Sequence, residues 1–194
     1  MDEIINKQAD IMISKYNEAK LVTLPNPKTI KINSLKTYTI TDLEKDFQNI
    51  ENDYVLYIFS SNDFKLSHQE VKQLFQNLKQ KNATYHISKI NEEIFWSKKS
   101  KESILYVGSK EKNIKKRIKE HLGLNGSSRS TYSLYLKDWW PDNTSLVIKI
   151  WQLESVFGKN NKYEMMNIIE DLIWDEYRPM FGKRGATFNK KTNP

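Results

Sequence analysis

The chain has no cysteine among its 194 residues. That excludes disulfides, thiolate nucleophiles and cysteine-based zinc sites. Only three histidines are present, His68, His86 and His121, too few for a histidine-rich metal cluster. No apolar run approaches the roughly 20 residues that span a bilayer, so no membrane association is expected. The opening Met1-Asp2-Glu3 is acidic and is not followed by a basic segment, an apolar core and a small-residue cleavage site. A secretory signal is therefore not expected, and the location expected is cytoplasmic. Acidic residues are missing altogether from the tail after Glu176, which carries Arg178, Lys183, Arg184, Lys190 and Lys191.

What the chain does have is apolar and aromatic surface and positive charge. At 38% hydrophobic and 12% aromatic residues it can bury a core, and its length suits one domain of ordinary size. The net charge is +7, and its placement says more than its total. Between Ser97 and Lys119 nine basic residues stand against Glu102 and Glu111, an excess equal to that of the whole chain. Phosphate is the natural counterpart of such a segment, although a solvated lysine face would read the same way on charge alone.

Residues 2–19 carry a rough helical stripe that ends at Leu24-Pro25-Asn26-Pro27, and residues 28–39 suggest one or two short strands. Thr41-Asp42-Leu43-Glu44 reads as a capping box opening a helix to about Ile50. The stretch from Tyr54 is short, apolar and β-branched, as a buried strand would be. Val71, Leu74, Phe75 and Leu78 place an amphipathic helix over about 67–80, with Ser67 as N-cap and Glu70 three residues on. Tyr85 to Ile90 suggests an edge strand, and Ile104 to Val107 a strand closed at Gly108. A basic helix follows from about Glu111 to Leu122, with Ile114, Ile118 and Leu122 as its buried stripe. Thr131 to Trp140 suggests a helix, Ser145 to Leu153 a strand, and Tyr163 to about Glu176 a last helix. Trp139, Trp140 and Trp151 could stack on unpaired bases, but core positions are the more common use of such residues.

On the basic helix, Arg117 and His121 are one turn apart and can point towards one site. A guanidinium holds phosphate bidentately, and an imidazole moves protons near neutral pH. Projection of the last helix sets Glu170 at the rim of its apolar face, beside Met166, Ile173 and Trp174, with Asp171 and Asp175 pointing away. A half-buried carboxylate favours a cation there, and one carboxylate with waters and phosphate suits Mg²⁺ or Mn²⁺.

Tyr106-Val107-Gly108 followed by a helix bearing Arg117 and His121 resembles the second signature of the GIY-YIG nuclease superfamily, with one extra residue between Tyr106 and Arg117. Glu170-Asp171-Leu172-Ile173 with Pro179 behind it is similar to the family's metal-binding segment. The asparagine usual after that proline has no match at Gly182, and Asn189 is a possible substitute. For the first signature there are two counterparts. Val55-Leu56-Tyr57 requires the helix at 67–80 to be an insertion, while Glu93-Ile94-Phe95 keeps compact spacing but replaces the tyrosine with a phenylalanine, which cannot share a proton.

The resemblance covers about residues 54–185. It implies an α/β (α+β) fold with a central three-stranded, mostly antiparallel sheet flanked by helices. Residues 1–53 would be an N-terminal extension, and 54–194 the nuclease-like domain with its basic tail. It further implies a metal-dependent endonuclease acting on duplex or branched DNA. Tyr57, Tyr106, Arg117, His121 and Glu170 would be the catalytic residues, with Glu170 holding one Mg²⁺ or Mn²⁺. Lys110, Lys112, Lys115, Lys116, Lys119, Lys183 and Arg184 would contact DNA. The alternative is an inactive DNA-binding module on the same fold, and a protein-interaction domain is a third reading.

Overall fold

The computed structural model describes residues 2–51, 53–81, 85–92, 102–124, 132–156 and 162–183, with side chains described from Asp10 onward. The fold is mixed α/β. Its elements run α1 (Asp2–Leu21), β1 (Lys28–Ile32), α2 (Ile40–Asp46), β2 (Val55–Ser61), α3 (His68–Lys81), β3 (Ser103–Lys110), α4 (Ile114–Leu122), a 3-10 turn (Leu136–Asp138), β4 (Leu146–Gln152) and α5 (Lys162–Tyr177).

The strands form one sheet of four, in the order β1-β4-β2-β3, with every pair antiparallel. The expected three-stranded sheet is thus corrected to four. The extra strand comes from the N-terminal segment, where Ile30 and Ile32 alternate with exposed Thr29 and Lys31 and fit the half-buried outer position beside β4. Strand β2 lies inside the sheet and is buried along its whole length. Its Val55, Tyr57 and Phe59 belong to one core and its Leu56 and Ile58 to another. Helices α2, α3 and α4 cover the first face, where Leu43, Phe47, Val71, Phe75, Ile114, Ile118 and Leu122 pack. Helices α1 and α5 cover the second with Ala19, Met165, Met166, Ile168, Ile169 and Trp174.

Several local expectations shift. The capping box of α2 is formed by Thr39 and Asp42, two residues earlier than expected, and the helix ends at Asp46. That start puts Leu43 and Phe47, one turn apart, on the core side. The Ser67–Glu70 box before α3 is present, with the Ser67 N–H donating to the Glu70 carboxylate at 2.7 Å. Tyr85 to Ile90 makes two isolated bridges, Ile87 with Ser133 and Ile90 with Phe181, and no strand of the sheet. The helix expected over 131–140 shrinks to one 3-10 turn because Tyr135 is left-handed, with φ of 50°. The indole N–H groups of Trp139 and Trp140 donate to the carbonyls of Leu134 and Thr144, at 2.7 and 2.8 Å, and both rings are buried.

Two irregularities position the site. Strand β3 does not stop at Gly108 but continues to Lys110, so the turn to α4 is only three residues and α4 begins at Ile114. A bulge opposite Phe59/Ser60 leaves Leu105 outside the pairing. Leu105 and Tyr106 consequently pack on the same face of the sheet, where strict alternation would have separated them.

Candidate active site

Strand β3 is one of the sheet's two outer strands, and its first half is covered by the chain after α5. The Met180 N–H donates to the Ile104 carbonyl at 3.0 Å and the Phe181 N–H to that of Leu105 at 2.8 Å. The second half, from Tyr106 onward, borders a cavity of about 450 Å³ between the strand, the turn after it and α4. Tyr57, Tyr106, Gly108, Ser109, Arg117, Glu120 and Glu170 line it, with Lys110, Glu111, Lys112, Asn113 and Lys116 at its polar rim.

Each side chain arrives for a local reason. Tyr57 is paired across the ladder with Gly108, and Tyr106 with Phe59, so both phenols rise from the same sheet face. Their rings stack with centroids 6.0 Å apart. Gly108 has to be a glycine, since a Cβ there would sit 2.7 Å from Tyr106 Cε1 and 2.7 Å from the Tyr57 hydroxyl. Gly182 closes the other edge of the Tyr106 ring, where a Cβ would lie 2.8 Å from Cε2, and its φ of +98° is itself left-handed.

Arg117 stands on α4, whose Ile114, Ile118 and Leu122 are wholly buried. Burying each contributes roughly 1.5–3 kcal/mol, which holds a nine-residue helix that its own hydrogen bonds could not sustain. The guanidinium is oriented on three sides. It donates from Nη1 to Ser133 Oγ at 3.0 Å and to the Glu120 carboxylate at 3.3 Å, and from Nη2 to the Tyr132 carbonyl at 2.6 Å. Burial works against its charge, but the neighbouring Tyr57 and Tyr106 hydroxyls outweigh that, and its pKa is raised. Arg117 therefore stays cationic.

His121, expected beside Arg117 in the same site, is fully buried and does not line the cavity. It lies behind the phenols, with Nε2 3.2 Å from the Tyr57 hydroxyl and its ring 4.5 Å from that of Tyr106. Its Nδ1 is buried and has no hydrogen-bond partner among the described residues. Burial, and then the positive charge of Arg117, push its pKa well below the usual histidine value, so the ring is neutral. The Tyr57 phenol is pushed well above the ordinary tyrosine value by burial and by Tyr106, with Arg117 opposing.

Glu170 comes from α5, on the opposite face, and reaches the cavity past the edge of β3, where the Ser109 hydroxyl donates a short hydrogen bond to it. Its pKa is pushed up to about 7, chiefly by burial and partly by Asp171, while Ser109 and Arg117 pull the other way. Asp171 does not point to solvent as the projection suggested. It is wholly buried, on a helix that packs against α1 as well as the sheet, with Lys15 of α1 pairing with Glu164.

Among the described residues no group of three or more His, Asp or Glu could hold a metal ion. Three carboxylates reach the cavity: Glu170, Glu120, which pairs with Arg117 at 3.3 Å, and Glu111 at the rim; of these Glu170 is the one a cation would take. Burial disfavours its ionised form, and a divalent ion bound there would favour it.

The predicted DNA contacts divide. Lys110, Lys112 and Lys116 rim the cavity, while Lys115 on the same helix does not. Lys119 turns away and pairs with Glu44 at 3.2 Å. Lys183 lies over the ring of Tyr132, with Nζ 5.8 Å from its centroid. Arg184, Phe95 and Asn189 lie outside the described residues. Sequence reasoning missed Ser109, Glu120, Ser133 and Gly182, although Glu120 was findable as the acidic residue three positions after Arg117 on one helix.

Comparison of the chain with protein families, curated proteins and solved structures finds no match.

Proposed function

We propose that the cavity hydrolyses phosphodiester bonds in DNA with the help of one divalent metal ion, as the resemblance to GIY-YIG nucleases implies. One observation carries this reading. Tyr57, Tyr106, Arg117 and Glu170, chosen from three separate stretches of sequence, line a single cavity under a rim of three lysines.

Lys110, Lys112 and Lys116 attract the phosphate backbone. Arg117, already oriented by Glu120, Ser133 and Tyr132, turns its remaining donor capacity to the scissile phosphate and stabilises the charge that develops on it. Glu170 would hold the divalent ion, with Ser109 fixing the carboxylate's direction. Mg²⁺ or Mn²⁺ bound there supplies Lewis-acid stabilisation of the phosphate and leaving oxygen. Tyr57 accepts a proton from the attacking water while its own proton passes to His121 Nε2 at 3.2 Å. That hand-over avoids a free phenolate, which burial makes costly. His121, neutral beforehand, can take the proton, and the charge it acquires beside Arg117 is unfavourable enough to be transient.

The second reading, an inactive DNA-binding module, is favoured by the same burial of Tyr57 and His121, which resists charge on either ring. Wild-type protein incubated with labelled duplex and branched DNA, with Mg²⁺ or Mn²⁺ and with EDTA, separates the two. Metal-dependent cleavage supports the nuclease; salt-sensitive binding of every substrate with no cleavage supports the inactive module.

A further inference from the structure

Beside Arg117 the chain presents an aromatic ring to solvent from a hydrogen-bonded backbone. The side chain is Tyr132. Its carbonyl is held by Arg117 Nη2 at 2.6 Å. The next residue, Ser133, is wholly buried, with its N–H donating to the His86 carbonyl at 2.8 Å and its carbonyl accepting from Ser88 at 2.9 Å. With its backbone so fixed, Tyr132 nonetheless leaves 59% of its surface exposed. Two groups that complement nucleic acid flank the ring. The imidazole of exposed His86 meets it edge-on, at 5.7 Å between centroids and 82° between planes, and the Lys183 ammonium lies 5.8 Å from its centre.

The tryptophans that might have stacked on bases do not compete for this role. Trp139 and Trp140 are in the core with their N–H groups satisfied, and Trp151 packs against the second core.

We infer that Tyr132 is a stacking platform for an unpaired nucleobase, one that belongs to the strand whose phosphate lies at Arg117. The inference rests on the nuclease or DNA-binding reading of the cavity and sharpens it to single-stranded or frayed DNA. With Lys183 over one face, the largely exposed ring keeps apolar area for any base to cover, because stacking needs a π-face and not a particular hydrogen-bond pattern. Lys183 supplies positive charge beside the ring, and Lys110, Lys112 and Lys116 supply it at the cavity. A base paired inside a duplex has no free face. The platform therefore selects for strand openings, ends, flaps or gaps, and adds nothing to binding of closed duplex.

The test is equilibrium binding, in EDTA so that nothing is cut. The ligands are a thymidine oligonucleotide, an abasic sugar–phosphate oligomer of the same length, and a blunt duplex. Wild type is compared with Tyr132→Phe and Tyr132→Ala, and folding is checked by thermal melting. The wild type is expected to prefer the thymidine strand to the abasic one by about tenfold. Tyr132→Phe should keep that preference, Tyr132→Ala should lose it, and duplex affinity should be the same in all three. Equal binding of thymidine and abasic strands by the wild type, or a preference that survives Tyr132→Ala, overturns the platform while leaving DNA binding intact. Absence of binding to every nucleic acid removes the reading of the cavity itself and the platform with it.

Discussion

The hydroxyl of Tyr57 and Nε2 of His121, 64 residues apart in sequence, meet at 3.2 Å in the interior. The pair joins a cavity-lining group to a buried neutral base, which is the arrangement a proton hand-over needs. Tyr57→Phe keeps the ring and removes the hydroxyl, leaving Nε2 without its partner. The expected cost in stability is about 1–3 kcal/mol, with DNA affinity unchanged and cleavage reduced by about 10²-fold or more. Denaturant unfolding, binding and single-turnover cleavage of the same variant check all three.

Two glycines clamp Tyr106, and each should resist even a methyl group. In Gly108→Ala the new Cβ collides with both phenols, of which Tyr57 is buried and has no room to swing away. In Gly182→Ala the collision with Tyr106 adds to backbone strain at a positive φ. Both variants should lose about 1–3 kcal/mol of stability, read as a lower denaturant midpoint, and both should lose cleavage. Surface glycines away from the rings would not couple stability to activity in this way.

The Glu170 carboxyl is raised from 4.5 to about 7 in the folded chain. Its protonated form is the favoured one. The stability it contributes is full below about pH 4.5 and is lost as pH rises through about 7, by about 3 kcal/mol at most. Glu170→Gln removes this dependence. Melting in EDTA should therefore show the variant gaining on the wild type between pH 4.5 and 8, and comparing the two cancels the opposite contribution of His121. A gap independent of pH would contradict the assignment. Because a cation competes with the proton, raising Mg²⁺ should also move the acid limb of wild-type cleavage to lower pH.

Lysines on one helix should differ in salt dependence. Lys116 rims the cavity and Lys119 pairs with Glu44. Lys116→Ala should reduce the slope of log affinity against log salt by about 1, and Lys119→Ala by far less. Titrations at several salt concentrations decide it.

The order of strands and helices was legible because β2, β4, α3 and α5 carry strong apolar signals, and Arg117 could be placed on α4 by spacing alone. The bulge at Leu105 and the left-handed Tyr135 were not legible, since both depend on what packs across the sheet and not on local propensity. The burial of Asp171 was hidden for a related reason. A helical projection assumes one apolar partner, and α5 has two, the sheet and α1. His121 was found as a residue but not as a position, because i, i+4 spacing gives a shared side of the helix and not the depth that each side chain reaches. The N-terminal segment looked like an addition because its strand β1 is short, with only Ile30 and Ile32 apolar, and its partner β4 lies more than 110 residues away.

Nicking of supercoiled plasmid by wild type and by Glu170→Gln, with Mg²⁺ or Mn²⁺ and with EDTA, tests the central claim most directly. The substitution preserves the size of the side chain and removes its capacity for negative charge. The account predicts metal-dependent nicking by the wild type and its loss, by about 10²-fold or more, in a variant that melts no lower and binds DNA as well. Nicking that persists in Glu170→Gln, or that proceeds equally in EDTA, would contradict it.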